Sequence, residues 1–458
     1  MELPGARQDL RLGGPSLADA YQAQFTQWGQ RFGWPVHLCA AMLYMLGAAG
    51  PIATVECFGI PLFLVMIIRI HATGSLVREI FQSRFVWLIF GLMSWGFITI
   101  AWSSDAASGV REVGNSRWLW SVLAVTSVMH RRAWLVAALF VSVTLGLVAQ
   151  GLEAIGLRYG IDALVWPHPH NPLEHTRISG WWHHPVMGGT VLVGALGMFL
   201  PCAIFGSGWR RGLGLLGVSA VLAGIFATGT RGAWIAALAL VLFMLMLAVF
   251  RMPRLRAIQT LSVAAIFAMG ATVGLYIARG EAIKARWDSA VSEVTDAVTS
   301  KNYNSDTGAR IQFALRGLRM ITERPLTGYG AGGYQHRAHE MIVEDGLDPA
   351  TTRNAPGAHN GPIHLWATLG LPGLVLMGSL VVTAIFGGIR LAKAHAPQGV
   401  DWIGTFGAAP SFGLIGLLFM MPFEGVYTNV QPAAFATALV ALCAHGCYRF
   451  KSKSVSDS

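Results

Sequence analysis

His359 stands where a polar, turn-rich run, NAPGAHN, passes directly into the apolar stretch GPIHLWATLGLPG. An imidazole titrates near neutrality and can take a proton from an attacking hydroxyl. At the mouth of a membrane helix it would sit beside both water and lipid. The alternative is a loop histidine that caps the following helix. Arg231, in ATGTRGAW, ends a very short connection between two apolar runs. A guanidinium there either snorkels to the interface or holds an anion, and it matches phosphate oxygens bidentately. Arg310, Arg316, Arg319 and Arg324 recur through ARIQFALRGLRMITER, a spacing that also describes an ordinary solvated face. The segment WPHPHNPLEHTRISGWWHHP carries His168, His170, His175, His183, His184 and Arg177. Its spacing fits no zinc motif, so no metal site is expected. With its tryptophans it suits an interfacial lip over a sugar or head group, or simply a wet aromatic belt. Gly328, Gly330, Gly332 and Gly333 surround Tyr329, but no strand precedes them, so they read as a tight turn and not a nucleotide cradle. No Asp-x-Asp occurs, which argues against a metal-dependent nucleotide-sugar transferase.

The elements that must hold these residues are membrane helices. The chain has 458 residues, of which 54% are hydrophobic and 12% charged. Soluble domains carry about 25% charged residues. Apolar runs of about 20 residues recur, each long enough to cross a hydrocarbon core. Such runs favour helices over a barrel, because a helix satisfies its own backbone groups. The expected fold is an all-α polytopic membrane protein with about twelve transmembrane helices, near 35–50, 51–69, 85–102, 117–130, 133–156, 186–206, 212–228, 231–250, 257–279, 361–389, 402–422 and 430–448. This divides the chain into a cytoplasmic segment 1–34, helices 35–279, an outer helical loop 280–360, helices 361–448 and a cytoplasmic tail 449–458. No apolar core follows a basic start in the first residues, so no cleavable signal peptide is expected. The five cysteines show no metal or disulfide spacing. The net charge of +10 reflects loop charges, and nucleic acid is not an expected partner.

Arginine and lysine set the orientation. One set of connections holds Arg69, Arg78, Arg84, Arg131, Arg132, Arg210, Arg211, Arg251, Arg254, Arg256, Arg390 and Lys393, and the termini add more. The opposite short connections hold Arg111, Arg117, Arg158, Arg177 and Arg231. The positive-inside rule then makes both termini cytoplasmic. The outer face receives 103–116, 157–185, 229–230, 280–360 and 423–429. Within 280–360, Arg279–Thr299 reads as an amphipathic helix and Ala309–Glu323 as a second, with Pro325 stopping it.

Together these residues resemble the O-antigen ligase and O-antigen polymerase superfamily of bacterial membrane glycosyltransferases. The ligase pattern is H-[NSQ], nine residues, then G-x-x-[GTY]. Here His359-Asn360 precedes Gly361–Leu369 and then Gly370-Leu371-Pro372-Gly373. TGTRGAWIAAL, residues 228–238, looks like the family's arginine-bearing helix start. ARIQFALRGLRMITERPLTGYGAGGY, residues 309–334, is similar to its segment before the histidine motif. The resemblance implies a GT-C-like architecture in the inner membrane with an active site at the periplasmic face. It implies a donor glycan on undecaprenyl diphosphate, a lipid A-core acceptor, membrane lipids as surroundings and no cofactor. His359 would be the base, and Arg231 and Arg310 would bind diphosphate. Arg177, Asn360, Arg316, Arg319, His183, Tyr329 and Glu424 would contact substrate or orient the base. A polymerase, or a protein O-oligosaccharyltransferase, shares this donor and differs in acceptor.

Overall fold

The computed structural model describes residues 33–69, 80–81, 83–129, 134–158, 182, 184–206, 208–299, 303–349, 352–395, 401–427, 429–444 and 447. Among them the secondary structure is helical throughout. The helices are α1 (Trp34–Gly47), α2 (Ile52–Ile68), α3 (Arg84–Thr99), α4 (Ala106–Asn115), α5 (Leu119–Met129), α6 (Trp134–Arg158), α7 (Pro185–Phe205) and α8 (Gly208–Ala227). They continue as α9 (Arg231–Arg251), α10 (Arg254–Thr299), α11 (Asp306–Glu323), α12 (Tyr334–Glu344), α13 (Gly361–His395), α14 (Asp401–Met420) and α15 (Val430–Ala444).

Five helical stretches are long and apolar enough to cross a membrane: Arg84–Trp102, Pro185–Phe205, Gly208–Ala227, Arg231–Arg251 and Gly361–Lys393. Shorter apolar stretches lie at Trp34–Gly47, Ile52–Ile68, Ala138–Leu152, Ala408–Met420 and Val430–Ala444. In lipid the apolar faces need not be buried in protein. That explains the contrast between α7, with 83% of its apolar window buried, and α8, with 22%. α7 is the central post, packed against α8, α9, α14 and α15. The 103–116 connection is not extended loop. Asp105 accepts from the Ser108 N–H at 2.9 Å and so caps α4, a short amphipathic helix.

α10 runs unbroken for 46 residues, about 69 Å at 1.5 Å per residue. The switch from apolar to charged sequence near 280 is therefore a change of composition along one helix, not a helix end. α11 starts where Ser305 accepts from Gly308 N–H, at 3.0 Å.

Among the described residues, parts of the connections assigned to the outer side meet at one end of the bundle. The Trp182 indole donates to Ala49 O, Thr230 Oγ1 donates to Pro185 O, and Arg117 pairs with Glu56 at 2.6 Å. The same end holds the contacts of 103–116, 325–333, 357–360 and 421–429 described next.

Candidate functional site

α13 begins at Gly361 because Asn360 Oδ1 accepts from the Ile363 N–H at 3.1 Å. The cap is therefore Asn360, which leaves the His359 side chain unused by the helix. The Asn360 amide also donates to Pro422 O, and Gly361 N–H donates to Met421 O at 2.7 Å. These bonds bind the turn to the connection before α15. They leave His359 at φ 49°, a left-handed conformation that costs a non-glycine residue roughly 1 kcal/mol or more.

That turn brings His359 Nδ1 to 3.3 Å from Glu424 Oε2. Glu424 is buried, and its other oxygen accepts from Gly425 N–H at 3.2 Å. Burial pushes the Glu424 carboxyl up. The hydrogen bond and charge of His359, the charge of Arg310 and the Gly425 N–H outweigh it and hold the group below its usual range. A carboxylate behind Nδ1 orients the ring and favours the imidazolium formed when Nε2 takes a proton. Nε2 makes no hydrogen bond among the described residues, and about a third of the side chain is exposed.

α11 supplies the facing wall. Thr307, Arg310 and Phe313 follow at intervals of three, which keeps them near one face. The Phe313 ring lies 5.6 Å from the His359 ring. Arg310 is half-buried, has no hydrogen bond or ion pair among the described residues, and its charge reaches Glu424 and Asp306. It is an open cation beside the histidine–carboxylate pair. Thr307 ties this face to Arg231, whose Nη1 donates to Thr307 Oγ1 at 3.1 Å.

Arg231 is engaged. Its terminal nitrogens bind both oxygens of Glu293, at 3.1 and 3.3 Å, and Ser289 Oγ at 3.2 Å, while its buried Nε has no partner among the described residues. Burial raises the Glu293 carboxyl, but hydrogen bonds from Arg231, Ser289 and Thr307 prevail and bring it to about 2. The extension of α10 is thus locked to the start of α9 and to α11.

A second histidine–carboxylate pair lies behind the first. His364, buried on α13, places Nε2 3.0 Å from Glu112 Oε1, and Glu112 Oε2 accepts from Gly332 N–H at 2.8 Å. Burial raises Glu112, and His364 with the Gly332 N–H outweighs it, so the carboxyl is held low. The turn around Gly332 lies on α4 so closely that a Cβ at residue 332, where φ is +77°, would strike the Gly109 backbone.

The other sequence-predicted residues lie apart from His359. Nine residues after Thr307, Arg316 has turned about half a circle. It is buried and donates to Arg353 O at 3.2 Å. Arg319 is spent on Glu323, Glu344 and Asp345. The Tyr329 hydroxyl donates to Glu323, and its ring lies under Arg324. The Arg319–Glu344 contact joins α11 to α12. Arg177 and His183 lie outside the described residues, as do His168, His170 and His175. His184 caps α7 by accepting from Val186 N–H. Sequence reasoning missed Glu112, Glu293, His364, Thr307 and Phe313. The available signal was scarcity: with 23 acidic residues in the chain, a glutamate in a short outer hairpin is worth a partner search.

Comparison with known proteins bears on this arrangement. Residues 216–378 match the family model described as O-antigen ligase. A protein of Haemophilus influenzae, described only as uncharacterized, is 28% identical over 113 residues, which cover 25% of this chain and 28% of that relative. The matched family region includes Arg231, Arg310 and His359 and ends before Glu424. The arginine-bearing helix start, the arginine helix and the histidine turn thus all fall within the one region that is similar to the O-antigen ligase family.

Proposed function

We propose that this protein is an O-antigen ligase that transfers a polysaccharide from undecaprenyl diphosphate to a sugar of the lipid A-core, at the periplasmic face of the inner membrane. In this reading about twelve spans carry the chain across the membrane in a GT-C-like arrangement with both termini in the cytoplasm. The observation that supports it most is His359, backed by Glu424 and placed beside the open charge of Arg310.

His359 Nε2 takes the proton of an acceptor hydroxyl, and the acceptor oxygen attacks the anomeric carbon. The bond from that carbon to the diphosphate oxygen breaks, and undecaprenyl diphosphate leaves with the electron pair. One displacement inverts the anomeric centre. Positive charge eases departure of the diphosphate. Arg310 supplies it directly. Arg231 supplies it by exchanging part of its hold on Glu293 for phosphate oxygens. Glu424 holds the ring and stabilises the imidazolium.

A polymerase or a protein O-oligosaccharyltransferase would use the same residues on the donor. A glycolipid transporter would place its charged groups near the bilayer midplane, whereas the groups here gather at one end. Complementation of a ligase-null bacterium separates these readings. Wild type restores the lipopolysaccharide ladder on a gel, and His359→Ala at equal expression does not, with a loss of about 10² or more in rate. A ladder restored by both proteins would end the assignment of His359 as base. Restoration only in a polymerase-null host would replace ligase by polymerase.

A further inference from the structure

We propose that Glu112 and His364 form a positioning pair, which holds the peptide before His359 and so keeps the His359 ring against Glu424. This rests on the reading of His359 as the base.

The bonds described so far hold the turn from one side. Asn360 and Gly361, which follow His359, are tied to residues 421 and 422. On the other side, Ala358 N–H donates to His364 Nδ1 at 3.4 Å. Gly357 lies over the same ring, with room for a Cβ only 3.1 Å from Nδ1. An imidazole that accepts at Nδ1 and keeps a hydrogen to offer must carry it on Nε2. Nε2 faces Glu112 Oε1 at 3.0 Å, so one tautomer serves both bonds. The second Glu112 oxygen takes Gly332 N–H. α4, the glycine turn and the first turn of α13 thus meet on one carboxylate, and the histidine turn joins them through the His364 ring.

The surroundings leave the ring little freedom. Tyr334 and Tyr427 flank it with ring centres at 5.3 and 6.2 Å, and Tyr427 Oη donates to Gly361 O at 2.8 Å. Beneath Glu112 lies a small pocket lined by Leu92, Met93, Val113, Leu365 and Leu369. A buried carboxylate–imidazole pair adds little net stability over apolar residues of similar size. What this pair adds is direction. Without it, the backbone before residue 359 is free to relax from φ 49°, and the ring leaves Glu424.

The test uses the purified full chain in lipid nanodiscs with wild type, His364→Leu, His364→Gln, Glu112→Leu and His359→Ala. Glutamine presents an acceptor and a donor spaced much as in imidazole but does not titrate. Hydrogen exchange over residues 355–361 is read by mass spectrometry. Transfer is read with an undecaprenyl-diphosphate-linked glycan and lipid A-core. The expected result is exchange about tenfold faster in both leucine variants. Their kcat falls about tenfold or more, with KM for donor and acceptor within about twofold. His364→Gln restores both toward wild type. Unchanged exchange in both leucine variants overturns the proposal, whatever the activity. So does faster exchange with unchanged kcat. A His364→Gln variant as impaired as His364→Leu also overturns it, because a proton-transfer role would then fit better. Transfer that survives in His359→Ala sinks the base reading instead, and the exchange data still decide whether the pair holds the turn.

Discussion

A histidine at positive φ is retained only where several neighbours insist on it. At residue 359 the neighbours are Asn360, Gly361 and Ala358, and the conformation they impose points the ring at Glu424. The histidine was legible in the sequence because its chemistry and its place at a helix mouth are local properties. Its carboxylate partner lies 65 residues away in another connection, and nothing in the spacing pairs them. The two arginines divide in the same way. Arg231 stood out by position, but its lock on Glu293, 62 residues distant, is a property of the folded chain. At this scale the account predicts that Glu424→Gln keeps shape and a hydrogen-bonding amide but loses charge. Its kcat for glycan transfer at neutral pH should fall about 10- to 100-fold, with KM little changed. Unaltered kcat would show that Glu424 does not act through His359.

The motif spacing acquires a reason at the scale of the element. Eleven residues after His359, α13 breaks at Gly370, where φ is +67°. The break frees carbonyls that a continuous helix would consume. Tyr329 N–H takes Ala367 O, Gly330 N–H takes Thr368 O, and the Trp95 indole takes Leu369 O at 2.7 Å. The stretch 361–369 is thus a short helix with the histidine turn at its start and the glycine turn docked at its end. A Cβ on Gly370 would strike the Leu326 carbonyl. Gly370→Ala should therefore destabilise the protein by about 2 kcal/mol or more and uncouple the glycine turn. Thermal unfolding in detergent checks this, and a wild-type melting profile would refute it. The second amphipathic helix of the outer segment was readable from its periodicity. The continuity of α10 through residue 280 was not, because hydropathy reports surroundings and not helix ends. The Glu293 lock gives α10 a pH signature. A carboxyl brought from 4.5 to about 2 stabilises fully above pH 4.5 and loses its contribution as pH falls toward 2. Hydrogen-exchange protection of 289–299 and 303–307, corrected for intrinsic rates, should hold from pH 7 to 4.5 and decline below. In Glu293→Gln it should already be low at pH 7. Equal protection in the two proteins would remove the lock from the account.

For the whole molecule, the low charge and the recurring apolar runs of about 20 residues were enough to read membrane helices, since a helix satisfies its own backbone groups in lipid. The arginine bias sorted the connections into two sets, and among the described residues members of the set assigned to the outside touch: 103–116 with 325–333, the start of α9 with α10 and α11, and 357–360 with 421–424. Which contacts they make was beyond the sequence, because packing across hundreds of residues leaves no local trace. Such a gathering fits a reaction between two lipid-borne substrates that both present their sugars on one side. The most direct test is to reconstitute the purified protein in vesicles with a labelled glycan on undecaprenyl diphosphate and with lipid A-core, and to follow the label. The account predicts label moving onto lipid A-core with inverted anomeric configuration in wild type, and no transfer in His359→Ala. Label that grows into longer lipid-linked chains and ignores lipid A-core, or transfer that persists without His359, would contradict it.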